Sequence, residues 1–195
     1  QPTTIQANML VSGMVNSNPT FTGGLLLQSN FMMNNITIEG ITLQGEGATD
    51  TAFRIDAAGG ISDLTIRDMV LDGSVANGNQ RSGIIASGLS GTIAIDGNHF
   101  NDLGGAYAFS TTPDGLDPGA GQISTLQFTD NTIVDSDGVV NIVPASGLIP
   151  QAEVSGNSFS NSGSENRESP MVTIKDVSTL YIADNILQNI HASQG

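Results

Sequence analysis

Residues 130–137 read DNTIVDSD, with Asn131 standing directly before an alternating apolar stretch that has the look of a strand. A carboxamide in such a place has two donor hydrogens and an acceptor oxygen, which must find partners or stay in water. Its copies point to the partners: GNHFND at 97–102, GNSFSN at 156–161 and DNILQN at 184–189.

Two earlier segments align with these, giving NITIEGITLQG from Asn35, DLTIRDMVLDG from Asp63, TIAIDGNHFND from Thr92, TLQFTDNTIVD from Thr125, QAEVSGNSFSN from Gln151 and TLYIADNILQN from Thr179. A fainter first copy, MLVSGMV from Met9, fits the same register. Anchored on Val11, Ile38, Ile66, Ile95, Phe128, Val154 and Ile182, the intervals by subtraction are 27, 28, 29, 33, 26 and 28 residues. A period in this range marks a repeat architecture. Each repeat holds two short period-2 strands joined at a Gly/Asp position, then a polar loop, then a third apolar stretch: GLLLQ, AFRID, GIIAS, AYAFS, VVNIV and MVTIK, starting at Gly24, Ala52, Gly83, Ala106, Val139 and Met171.

Three short strands per turn of about 28 residues resemble the right-handed parallel β-helix, the pectate-lyase-like superfamily, over residues 9–190. The resemblance implies an all-β solenoid of about seven coils, with residues 1–195 as a single β-helix domain. Elementary constraints agree: parallel crossovers are right-handed in nearly all cases, and coils about 4.8 Å apart stack like positions into columns. Three inward columns follow: Ile36, Leu64, Ile93, Leu126, Ala152 and Leu180; Ile38, Ile66, Ile95, Phe128, Val154 and Ile182; Leu43, Leu71, Phe100, Ile133, Phe159 and Leu187. A β-sandwich would need two-residue hairpin turns at regular spacing, which do not separate these strands. Asn98, Asn131, Asn157 and Asn185 then share one column and are expected to form a structural ladder, each amide bonding the next. Earlier coils carry Met14, Ile41 and Met69 there, so the interior should change from apolar to amide-lined at the fourth coil.

Composition narrows the function classes. Nineteen acidic against five basic residues give a net charge of -14, which disfavours nucleic acid and anionic membrane surfaces as partners. No apolar run reaches 18 residues, so membrane insertion through a helix is not expected. With no cysteine there is neither a disulfide framework nor a thiolate metal site. The chain opens on Gln1 without a basic-then-apolar signal segment, which suggests a removed leader or a piece of a longer protein.

The supply of catalytic side chains is thin. Polygalacturonases, which share the resembling fold, carry an Asn-Thr-Asp triplet, an Asp-Asp pair, a Gly-His-Gly and an Arg-x-Lys; none occurs here. A lyase would draw on Arg54, Arg67, Arg81, Arg167 and Lys175, of which no two convincingly share a site. Arg67 points outward in a column with Glu39 and Asp96, read as a surface ion triple. His99 and His191 lack a second histidine at metal spacing. No resident cofactor is expected; the ion that loop carboxylates suit is calcium, with Asp135 and Asp137 as candidate ligands. Two loops exceed the minimal coil, STTPDGLDPGAGQ at 110–122 and SNSGSENRESP at 160–170. Loops carry specificity on solenoids, making Asp114, Asp117, Glu165 and Arg167 in these two, together with Asp50 and Arg81 in the loops at 44–51 and 72–83, the candidate ligand-binding residues.

The expected function is therefore a non-catalytic stalk or adhesive segment of a larger secreted or cell-surface protein, meeting a glycan or another surface protein and self-associating end to end. The alternatives are a carbohydrate-active β-helix of the polysaccharide lyase or epimerase kind or a glycan-binding module, in either of which the loops at 44–51, 72–83 and 160–170 line one edge and contact glycan, or a phage tailspike-like domain.

Overall fold

The structure, a computed structural model, describes residues 3–5, 11–12, 20–22, 24–44, 51–73, 82–104, 107–111, 122–136, 139–144, 147–162 and 171–190. These residues contain no helix, and every pairing between their strands is parallel and joins one coil to the next. Three ladders run along the stack.

The first ladder holds Val11–Ser12, Met33–Glu39, the second halves of Thr51–Arg67 and Ser82–Asp96, then Ile123–Thr129, Ile149–Ser155 and Val177–Ala183. The second is a 7-stranded sheet: Thr20–Thr22, Thr42–Gln44, Val70–Asp72, His99–Asn101, Thr132–Val134, Ser158–Ser160 and Ile186–Gln188. The third holds Thr3–Ile5, Leu25–Gln28, the first halves of the same two long strands, Tyr107–Ser110, Val139–Ile142 and Val172–Ile174. The chain is a parallel β-helix.

Register follows side-chain chemistry. Ile38, Ile66, Ile95, Phe128, Val154 and Ile182 are direct partners along the first ladder, and Leu43, Leu71, Phe100, Ile133, Phe159 and Leu187 along the second. A one-residue slip would turn each such column outward into water, so the apolar alternation fixes the pairing. On the third ladder Leu25, Phe53, Ile84, Phe109, Val140 and Val172 align, with Ala108 bulged out between Tyr107 and Phe109. The three ladders enclose one core whose widest side chains are Phe53, Phe100, Phe109, Phe128 and Phe159.

Two features depart from the sequence expectation. Val11 does pair with Ile38, but Phe21, not the stretch around Met14, lies opposite Leu43. Subtraction gives ten residues from Val11 to Phe21 where Ile38 to Leu43 takes five, so the first coil carries an insertion; Met14 itself lies outside the described residues. Second, the stretches beginning at Ala52 and Asp63 form one strand of 17 residues, and those at Gly83 and Thr92 one of 15. The bend between the two ladders falls on Gly59-Gly60 and Gly88. A Cβ on Gly59 would collide with the backbone at Phe31, and one on Gly88, at φ 72, with the carbonyl of Ala57. Glycine lets the corner close there, where the pairing of the two long strands is interrupted between Asp56 and Ile61.

The Gly/Asp position between the first and second ladders is also conformational in origin. Gly40, Asp68, Gly97, Asp130, Gly156 and Asp184 all have left-handed φ between 54 and 68 degrees. The two residue types alternate from coil to coil. A Cβ on Gly156 would press on the Asp130 carboxylate, and one on Gly97 would stand 3.2 Å from that of Asp68. Gly97 and Gly156 thus leave room for the aspartates below them. The carboxylates recur at about 9.6 Å, twice the strand spacing, which weakens their mutual repulsion.

Candidate functional site

The left-handed turn delivers the next residue, asparagine in four successive coils, into the interior. Asn98, Asn131 and Asn157 are 1%, 0% and 0% exposed. The Nδ2 of Asn98 donates to Oδ1 of Asn131 at 3.0 Å, that of Asn131 to Asn157 at 3.1 Å, and that of Asn157 to Asn185 at 2.9 Å. The second hydrogen of each Nδ2 goes back one coil, to the carbonyls of Ile66, Ile95 and Phe128 at 3.0, 2.9 and 2.8 Å. Each Oδ1 also accepts a backbone N–H: Met69 donates to Asn98, Asn98 to Asn131, Asn131 to Asn157 and Asn157 to Asn185, at 2.9 to 3.1 Å.

A carboxamide is the group this position demands. It must accept from the coil below and donate to the coil above, while tying the turn to the preceding strand. Below Asn98 the column is Met69 and Ile41, both buried.

A second polar column went unread in the sequence. Ser136 and Ser162 are buried two residues past the second ladder; Ser136 Oγ accepts from the Leu103 backbone at 3.1 Å and Ser162 Oγ from the Ser136 backbone at 3.4 Å. Each hydroxyl in turn donates to the carbonyl two residues back, Val134 and Ser160, at 2.8 Å. The signal was an Asp/Asn followed by Ser at the close of the second strand, in Asp135-Ser136 and Asn161-Ser162. Asp135, a candidate calcium ligand, is the left-handed residue of this turn, at φ 49, with its backbone N–H donating to the Ser160 carbonyl at 3.1 Å. Its side chain is exposed; its companion Asp137 lies outside the described residues. So do Asp50, Arg81, Asp114, Asp117, Glu165 and Arg167. Among the described residues no three His, Cys, Asp or Glu side chains gather to hold a metal ion.

On the outer face of the first ladder Glu39, Arg67 and Asp96 are register partners. They divide into a pair and a single residue. Arg67 Nε donates to Glu39 at 2.7 Å, whereas Asp96 accepts from the Thr129 hydroxyl at 2.6 Å. The hydrogen bond and charge of Glu39 raise the Arg67 pKa above its ordinary value. Arg67→Ala is expected to leave the fold intact and the melting temperature within roughly 2 °C of wild type, since exposed ion pairs are screened by water. A drop of 10 °C in a thermal melt would instead mark Arg67 as a structural pin. Asp63 plays a more local part: the Thr92 backbone N–H, at 2.8 Å, and the Ser62 hydroxyl, at 3.0 Å, hold its pKa below the usual value. Arg54 is exposed on the third ladder and Lys175 is exposed just past its last strand, and His99 is half-buried on the outside of the second.

No known protein family, curated protein or solved structure matches the chain.

Proposed function

We propose that this chain is a non-catalytic β-helical segment acting as a stalk or adhesive surface of a secreted or surface-attached protein, built on the right-handed, pectate-lyase-like form of the solenoid. The observation that carries this reading is the asparagine ladder. In it the carboxamides of three coils spend both donor hydrogens and their acceptor oxygen on the coils above and below. Groups engaged in this way cross-link the stack along its axis, which suits a rigid spacer. The acidic surface fits contact with neutral glycans or basic protein surfaces better than with polyanions.

The test pairs chemistry with binding. The protein is incubated with uronate polymers while unsaturated products are followed by absorbance, and it is applied to a glycan array. No cleavage is expected, with any glycan binding saturable and without turnover. Unsaturated chain ends that increase with protein concentration would overturn the stalk reading in favour of a polysaccharide lyase.

A further inference from the structure

The coil spanning 172–190 presents inward positions that no other coil among the described residues covers. Leu180, Ile182 and Leu187 are 43%, 62% and 59% exposed, although they are register partners of Ala152, Val154 and Phe159, which are 0%, 3% and 1% exposed. Asn185 shows the same asymmetry in polar form. Its Oδ1 accepts from the Asn157 backbone and side chain, and its Nδ2 donates to the Val154 carbonyl at 2.7 Å. In Asn98, Asn131 and Asn157 the other Nδ2 hydrogen meets the carboxamide oxygen of the following coil; for Asn185 that hydrogen has no acceptor among the described residues.

The geometry points to this face as the docking surface for one further β-helical coil that carries a Gly-Asn pair in register with Asp184-Asn185. Three observations specify the occupant. Apolar side chains in three columns call for a coil, because the strands below it are paired on their other side in the same parallel register. The open Nδ2 hydrogen calls for a carboxamide oxygen, as in every rung beneath it. The alternation of Asp and Gly at the left-handed turn calls for glycine next to Asp184, as Gly97 follows Asp68 and Gly156 follows Asp130. Coils of this kind exist within the chain, as GNHF at 97–100 and GNSF at 156–159, each placing phenylalanine in the inward column.

A second copy of the chain fits less well. Approached through its own 172–190 face, it would offer an Asn185 oxygen that already accepts two hydrogens. Approached through its first coil, it would set the ten residues from Val11 to Phe21 against the five from Ile182 to Leu187, and the sequence between them, GMVNSNPT at 13–20, holds no Gly-Asn pair. Neither supplies the Gly-Asn pair.

To test this, a copy of residues 137–162 is inserted after Ile190 in the otherwise complete chain, which continues the register because Ser136, Ser162 and Ile190 occupy one column by their offset of two from Val134, Ser160 and Gln188. A parallel version carries leucine at the copied Asn157. Hydrogen exchange is followed by NMR at the Asn185 carboxamide and at the backbone amides of Ile186–Gln188. The asparagine insert is expected to slow exchange of the Asn185 carboxamide about tenfold relative to the original chain, the factor set by a hydrogen bond of ordinary net strength. The leucine insert should protect the backbone and leave the carboxamide fast. Equal carboxamide protection by both inserts, or none by either, overturns the proposal. So does a dimer of the original chain in sedimentation that is abolished by Ile182→Glu, since the face would then belong to a second copy.

Discussion

Asn131→Asp is expected to cost roughly 3–5 kcal/mol at neutral pH, the range for an uncompensated charge in a buried site. The exchange is isosteric, so packing hardly changes. What changes is the atom in the place of Nδ2, which becomes an acceptor facing two others, the Ile95 carbonyl at 2.9 Å and the Asn157 Oδ1 at 3.1 Å. The opposite oxygen keeps its donors, the backbone and Nδ2 of Asn98. At 0% exposure water cannot relieve the conflict. The new carboxyl therefore holds a proton in the folded state to a pH above its unfolded value, about 3.9. A folded pKa raised in this way makes the variant's deficit smallest below about pH 4, and the deficit grows as pH rises through the folded pKa. Urea unfolding of variant and wild type side by side at pH 7 and pH 4 checks both parts. An unchanged midpoint at pH 7 would mean that the ladder amides do not carry stability.

The sequence made this rung legible because two signals coincided: a period-2 apolar pattern that placed the position inward, and recurrence of a polar residue where the pattern allows none. Columns such as Ile66, Ile95 and Phe128 were legible for the first reason alone. The serine column was harder to see, since serine after a turn is common and its hydroxyl is satisfied locally, by Val134 or Ser160, as well as across coils. The partition of Glu39, Arg67 and Asp96 could not be read from register. All three are adjacent, and the choice turned on Thr129, one coil further on, giving Asp96 a shorter-range donor. Leu180, Ile182 and Leu187 illustrate a different limit. Their direction is set by the alternation, but their burial depends on a coil above them, a property of the stack rather than of the strand.

Phe128→Ala is expected to remove roughly 3–5 kcal/mol and to divide the unfolding of the solenoid in two. The ring is 0% exposed, with its centroid 5.7 Å from that of Phe109 and 6.5 Å from that of Phe100. Those three residues come from the first, third and second ladders, so the cluster is where all three faces meet. It also joins the coils on either side, because Phe128 pairs with Ile95 below and Val154 above. A β-helix is close to one-dimensional: each coil touches only its neighbours, and its cooperativity depends on every interface being strong enough to propagate folding. A cavity at one interior rung should weaken that coupling more than it weakens either flanking segment. Denaturant unfolding followed by hydrogen exchange should therefore show the coils after Thr129 opening at lower denaturant than those before Asp96. Phe128→Leu, which leaves a smaller void, should cost less and keep a single transition. A single transition for Phe128→Ala, shifted by less than about 1 kcal/mol, would show that the surrounding side chains collapse into the space and that the aromatic cluster is not what couples the coils.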